Sequence, residues 1–271
     1  MKNKFSFTRR FRHSFLIFLS VFLLGGLSSY SQEMKKMNND SLSVKSQSTK
    51  NVDMPAGKEE EKDLPDPFFS HMGMPEAVGT YSMRFSALSS QIDGKSVADF
   101  AFHIEIGLSK IVGLHIRNDR FLANPASEIM FQFLVLKSKD GMSGFAPIIE
   151  FEIPTHKGEK RINTLVGFTS TLANSHVAFD QILHYNPSED MVDGSFALIY
   201  KLSKKIFFVT ELLGEKTPKE TTALNLLGGL KFKISELLTI GLGYQHSITG
   251  SMGYNSQYIF QPGLELKKQK L

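Results

Sequence analysis

Residues 99–118 run Asp99-Phe-Ala-Phe-His-Ile-Glu-Ile-Gly107, then Leu108-Ser109-Lys110, then Ile111-Val-Gly-Leu-His-Ile-Arg-Asn118. Phe100, Phe102, Ile104 and Ile106 fall on one face of the first segment, with Asp99, His103 and Glu105 on the other. Side chains that alternate with a period of two mark a β-strand. In the second segment Val112, Leu114 and Ile116 alternate with Gly113, His115 and Arg117, so this hairpin has one apolar and one charged face.

The same pattern repeats along the chain from about Val78 to Leu266, in about twelve segments. They fall near residues 79–91, 97–107, 111–118, 127–137, 143–153, 161–173, 176–186, 191–202, 206–213, 221–232, 237–247 and 257–267. Tight connections at Leu108-Ser109-Lys110, Asn174-Ser175, Ser203-Lys204-Lys205 and Ser235-Glu236 alternate with longer polar ones near 119–126, 154–160, 186–190, 214–220 and 248–256. Short turns on one side and long loops on the other describe an antiparallel transmembrane β-barrel. A soluble β-sandwich shares the alternation. Segments near ten residues suit a tilted bilayer crossing and favour the barrel.

The N-terminus carries Lys2, Lys4, Arg9, Arg10 and Arg12 without an acid, and an uncharged run from Phe15 to Leu27 leads to Ser28-Ser29-Tyr30-Ser31. This is the layout of a secretory signal peptide over residues 1–31, its apolar run too short for a membrane-spanning helix. Removing its five basic residues from the total of 31 leaves 26 against 27 acidic ones, so the net +4 belongs to the signal and implies no nucleic-acid partner. The absence of cysteine excludes disulfides, thiolate metal sites and a lipoprotein anchor. Residues 32–76 read as a disordered periplasmic leader, poor in large apolar side chains and rich in Lys, Glu, Ser and Asn. It closes on Phe68-Phe69-Ser70-His71-Met72-Gly73-Met74-Pro75. There His71, Met72 and Met74 read either as a soft-metal set suited to Cu(I) or as part of an apolar plug at the barrel mouth. Residues 77–268 are then the barrel.

With the apolar face on lipid, the opposite face lines the lumen. It carries Arg84, Asp99, His103, Glu105, His115, Arg117, Glu150, Glu152, His176, Asp180 and His184, followed by Glu211, Lys231, Gln245, Gln261 and Glu265. Tyr200, Tyr244 and Tyr258 fall on the lipid face, where they form the interfacial girdle of a chain without tryptophan. If Gly107 faces Ile111 across the first turn, His103 faces His115, Glu105 faces Gly113, and Arg117 faces Ala101. The two imidazoles then form a polar or metal-contacting step in the pore. His176, Asp180 and His184 are spaced too widely to share one ion and read as a polar ladder.

No nucleophile elbow, zinc-protease helix, phosphate loop or dinucleotide fingerprint occurs, which argues against an enzyme and against an organic cofactor. His246-Ser247 matches outer-membrane phospholipases only as a dipeptide.

The run Phe68 to Pro75, with Gly113-Leu-His-Ile-Arg-Asn-Asp119 after the first strand, resembles a group of Gram-negative outer-membrane barrels described only as transporters. They are similar in layout to the phenol-degradation-pathway type of outer-membrane transporter. The resemblance implies a barrel, a transport role and an association with heavy metals, and supplies no catalytic residue. The expectation is a monomeric outer-membrane transporter or narrow pore for small solutes. The alternative is copper capture by the leader in the periplasm.

Overall fold

The computed structural model describes residues 64–71, 73–122, 126–154, 161–218, 221–250 and 254–267. The expected signal peptide, most of the leader and Met72 lie outside these residues. Thirteen strand segments follow one another: β1 (Thr80–Ile92), β2 (Lys95–Gly107), β3 (Val112–Asn118), β4 (Ala126–Phe133), β5 (Leu136–Lys137), β6 (Gly144–Pro154), β7 (Asn163–Ala173), β8 (Val177–Asn186), β9 (Met191–Lys201), β10 (Ile206–Lys216), β11 (Ala223–Lys233), β12 (Leu238–Thr249) and β13 (Ser256–Lys267). There is no helix among the described residues.

Each strand pairs antiparallel with its chain neighbour, β13 returns to β1, and β4 and β5 both pair with β6, so the sheet closes on itself. Segments β4 and β5 form one interrupted stave, which makes the barrel twelve-stranded. The interruption is a one-residue bulge: Gln132 pairs with Ile148, but Leu136 pairs with Phe145. Pro147 stands in β6 opposite this break, where it has no N–H to give to the ladder.

The connections alternate as the spacing suggests, with two exceptions, one being the six residues 138–143 between β5 and β6 on the short-turn side. Asp93 and Gly94 join β1 to β2 on the long-loop side as a two-residue turn, both in the left-handed region at φ 48° and 75°. That conformation matches the twist of a tight hairpin.

The outer surface is apolar: Phe85, Phe100, Ile149, Val166, Leu172, Phe208, Leu242 and Phe260 are all exposed. An unbroken belt of this kind is stable against hydrocarbon and not against water. Tyr81 and Tyr200 sit near the short-turn rim and Tyr258 near the other, each about half exposed.

The interior departs from the expected wet wall. Leu88, Ala101, Ala178, Ile199, Phe207, Val209, Leu227 and Ile259 point inward and are buried with Leu64, Phe68 and Phe69 in one apolar cluster. The lumen is therefore polar on one sector and greasy on another.

Candidate functional site

What fills the lumen is the chain's own N-terminal segment. Residues 64–66 enter at the short-turn rim, where Asp66 accepts a hydrogen bond from the Ser82 hydroxyl at 2.8 Å. The chain reaches its deepest point at residues 68–71 and returns along the opposite wall, so that Gly79 N–H bonds to Gly107 C=O at 3.1 Å just before β1 begins. Its tip is a finger whose backbone polar groups are met by wall side chains. Glu211 on β10 accepts from the backbone N–H of Phe68, from Phe69 at 3.1 Å and from Ser70 at 2.9 Å, and also from the Ser70 hydroxyl at 3.0 Å. Pro67 C=O takes bonds from Arg84 at 2.6 Å and Lys231 at 2.9 Å, and Phe68 C=O one from Gln261 at 2.8 Å. A backbone withdrawn from water needs such partners, because each unpaired group costs about 1–3 kcal/mol.

Glycines make room for the finger. The Phe68 ring lies where Gly229, Gly241 and Gly243 remove side chains from the wall: a Cβ on Gly229 or Gly241 would come within 2.8 Å of it. Lys231 covers that ring at 4.6 Å. On the return leg Gly73 lies so close to β7 that a Cβ would stand 2.0 Å from backbone atoms of Ser170 and Thr171. Its N–H bonds to the Thr171 hydroxyl at 2.8 Å, and Thr171 in turn donates to Asp180.

His71, at the end of the tip, sits among the histidines of the first hairpin. Its ring stacks on His103 at 5.8 Å, and its Nδ1 is 3.2 Å from Nδ1 of His115. Burial, and next the charge of Arg117, hold the His71 imidazole well below the usual histidine range, so the ring is neutral. Glu105 is 3.7 Å from His115 Nδ1 and forms an ion pair with Arg84.

Towards the long-loop rim lies a second polar network. Arg117 pairs with Glu128 and approaches Glu150 at 3.8 Å; His184 lies 3.4 Å from Glu150 and 2.8 Å from Asp193. Glu128 faces Glu152 across β4 and β6. Asp119, just past β3, is 2.6 Å from His103. Burial alone would raise its carboxyl, but Arg117 and then His103 bring it below the usual carboxylate range. Asp99 accepts the N–H of Leu122 at 2.7 Å and pins the β3–β4 loop inward, and Arg120 from that loop covers the Tyr254 ring at 4.8 Å. Burial pushes the Tyr254 phenol up to about 12.

Of the residues expected on the lumen wall, Arg84, Asp99, His103, Glu105, His115, Glu150, Asp180 and His184 are at most 3% exposed, inside the barrel. Arg117 and Glu152 are partly buried towards its long-loop end. His176 is a correction: it lies exposed in the turn before β8, where Asn174 accepts its backbone N–H at 2.8 Å and its ring meets Ser175. The first hairpin's register is a second correction. Gly107 pairs with Gly113, so His115 faces Glu105, and His103 faces Arg117. The turn is Ser109-Lys110-Ile111, fixed because the Ser109 hydroxyl accepts the N–H groups of Ile111 and Val112.

Met74 packs against Gly144, and Met72 lies outside the described residues. His246 stacks on Tyr244 while the Ser247 hydroxyl donates to Gly250 C=O, so the two form no nucleophile–base pair. Sequence reasoning read Phe68 as part of a disordered leader or of a plug at the barrel mouth, and Glu211, Lys231 and Gln261 as lumen wall; the structure carries Phe68 into the lumen and makes those three its holders. The signal was available in Gly229, Gly241 and Gly243, three inward glycines that leave a hollow in the wall.

No protein-family model matches the sequence, and no curated protein matches it. Its fold does have solved counterparts. The NanC porin superposes with a TM-score of 0.51 at 8% identity, over 69% of this chain and 99% of that one. The KdgM porin gives 0.50 at 10% identity, over 69% and 99%. An outer-membrane channel from Pseudomonas putida F1 gives 0.51 at 8% identity, over 72% and 98%. The fold is that of the outer-membrane β-barrels.

Proposed function

We propose that this chain is an outer-membrane transporter or narrow channel for small solutes, closed by its own N-terminal finger and opened when the finger withdraws. The supporting observation is the engagement of the tip, where one wall carboxylate, Glu211, takes three successive backbone N–H groups. These bonds can be exchanged for bonds to water, while the burial of Leu64, Phe68 and Phe69 against the apolar wall sets the barrier to withdrawal. Withdrawal would uncover a wall lined by Arg84, Glu105, Glu211 and Lys231, charges of both signs that select solutes by charge and size.

The barrel closes within one chain and so needs no partner to complete it, and in this reading it sits in outer-membrane lipid with short turns and the finger's root on the periplasmic side. Neither an enzymatic activity nor a cofactor is part of this reading, and copper capture by the leader draws no support from Met74.

Conductance in a planar bilayer tests it. The mature chain is expected to show rare, brief openings, and the chain lacking residues 32–76 sustained discrete steps. A truncated barrel that is folded by its heat-modifiable gel mobility, and still passes no current, would overturn the proposal.

A further inference from the structure

We infer that His71, Glu105 and His115 form a divalent-metal site of the zinc class that latches the finger to the barrel wall. The inference rests on the finger acting as the gate and adds what holds it shut.

The three residues come from three segments, the finger, β2 and β3, and each offers one ligand atom within 4.8 Å of the others. The two edges that run from His115 Nδ1 measure 3.2 Å to His71 Nδ1 and 3.7 Å to Glu105 Oε1, each beside the unpartnered atom of the same side chain. Ligands at the usual zinc–nitrogen distance on a tetrahedron stand about 3.3 Å apart. These two edges thus have the dimensions of a metal shell, and the third is at most 4.8 Å.

The protonation of His115 is set from behind. Gln132 gives its amide N–H to Thr169 at 2.6 Å, which turns its carbonyl oxygen towards His115 Nε2 at 3.1 Å. His115 therefore carries a proton on Nε2 and presents a bare Nδ1 to His71 and Glu105, the outer-shell arrangement that orients metal-bound histidines. That nitrogen and the carboxylate, whose Oε1 Arg84 also holds, converge on His71.

Glu105 supplies the second, independent sign. It is 1% exposed, and while its Oε1 pairs with Arg84, its Oε2 is buried without a hydrogen-bond partner. Nε2 of His71 is likewise buried without one. Two imidazoles and one carboxylate suit Zn(II) and similar borderline divalent ions, and the fourth position is left for water or a solute. Because His71 alone belongs to the moving part, loss of the ion removes this tie and leaves the finger to the hydrogen bonds from Glu211, Arg84, Lys231 and Gln261.

Zinc binding to the tag-free, refolded mature chain decides the matter, measured by competition with a chromophoric chelator. The expected result is one Zn2+ per chain with Kd at or below about 1 µM, weakened at least about tenfold in His71→Gln and in His115→Gln. His71→Gln alters only the finger, so its barrel folds whether or not the site exists. Cobalt in place of zinc is expected to give the intense visible absorption of a tetrahedral ion in the wild type and not in His71→Gln. Absent zinc binding, or equal binding in wild type and His71→Gln, would mean that His71 and His115 share only a hydrogen bond, and would overturn the inference. Conductance separates this from the gating proposal. Zinc bound through His71 with a silent truncated barrel keeps the site and removes the channel, whereas an open truncated barrel without zinc binding removes only the site.

Discussion

Ser70 meets Glu211 twice: its backbone N–H reaches Oε2 at 2.9 Å, and its hydroxyl reaches the same oxygen at 3.0 Å. With the N–H groups of Phe68 and Phe69 also directed at this carboxylate, one wall side chain neutralises the whole turn of the finger.

Glu211→Ala leaves these donors facing an apolar wall at about 1–3 kcal/mol each. The finger is expected to undock while the barrel stays folded. Chymotryptic cleavage after Phe68 and Phe69, both at most 5% exposed in the docked state, then accelerates more than about tenfold, since 1.4 kcal/mol is a factor of ten. Glu211→Gln, which keeps one acceptor oxygen, falls between the two. Cleavage at the wild-type rate in the alanine variant would show that the carboxylate does not hold the tip.

Gly73→Ala tests the return leg. The added methyl would meet the backbone of β7 at 2.0 Å, an overlap that no side-chain rotation relieves. The variant is expected to behave in bilayers like the chain without residues 32–76. Gly228→Ala, whose added carbon meets nothing within 4 Å, is the silent control. Wild-type conductance in Gly73→Ala would place the return leg elsewhere.

Arg117 stands between Glu128 and Glu150, with Glu152 facing Glu128 across the strand pair. Its removal leaves buried like charges uncompensated, and breaking a buried pair costs about 3–5 kcal/mol. Arg117→Leu is expected to lower the thermal unfolding midpoint of the barrel, and Glu128→Gln in the same chain to restore part of the loss. Equal midpoints for the single and double variants would deny the coupling.

The register of the first hairpin can be read chemically, because the native chain contains no cysteine. Glu105→Cys with His115→Cys places thiols on directly facing residues, whose close non-hydrogen-bonded spacing suits a disulfide. His103→Cys with His115→Cys is two residues out of register and is expected to stay reduced under the same oxidation. The reverse outcome would restore the pairing expected from sequence alone.

The twelve staves were legible because each carries a period of two, broken by a bulge between β4 and β5, with the bilayer side mostly apolar. The register was not, because hydrophobic alternation is unchanged by a two-residue slip; the choice lay with the Ser109 hydroxyl, which caps one turn length and not the other. His176 keeps the parity of β8 but falls to Asn174, whose side chain turns the backbone before the strand begins. The apolar inner sector was hidden for a different reason. Ile199, Phe207 and Val209 look inward only because Phe68 and Phe69 arrive to cover them, and that contact joins residues well over a hundred positions apart. The polar wall residues could be named in advance, but their employment as holders of the chain's own backbone depends on that same distant segment.

The finger touches both sides of the joint between the first and last strands: Arg84 of β1 holds Pro67, and Gln261 of β13 holds Phe68. That joint unites the strands most distant in sequence, and contacts between such remote partners slow folding. A segment gripped from both edges acts as a clasp across it. Whatever draws the finger out therefore also removes a tie across this seam, so that the position of the finger bears on the durability of the wall itself.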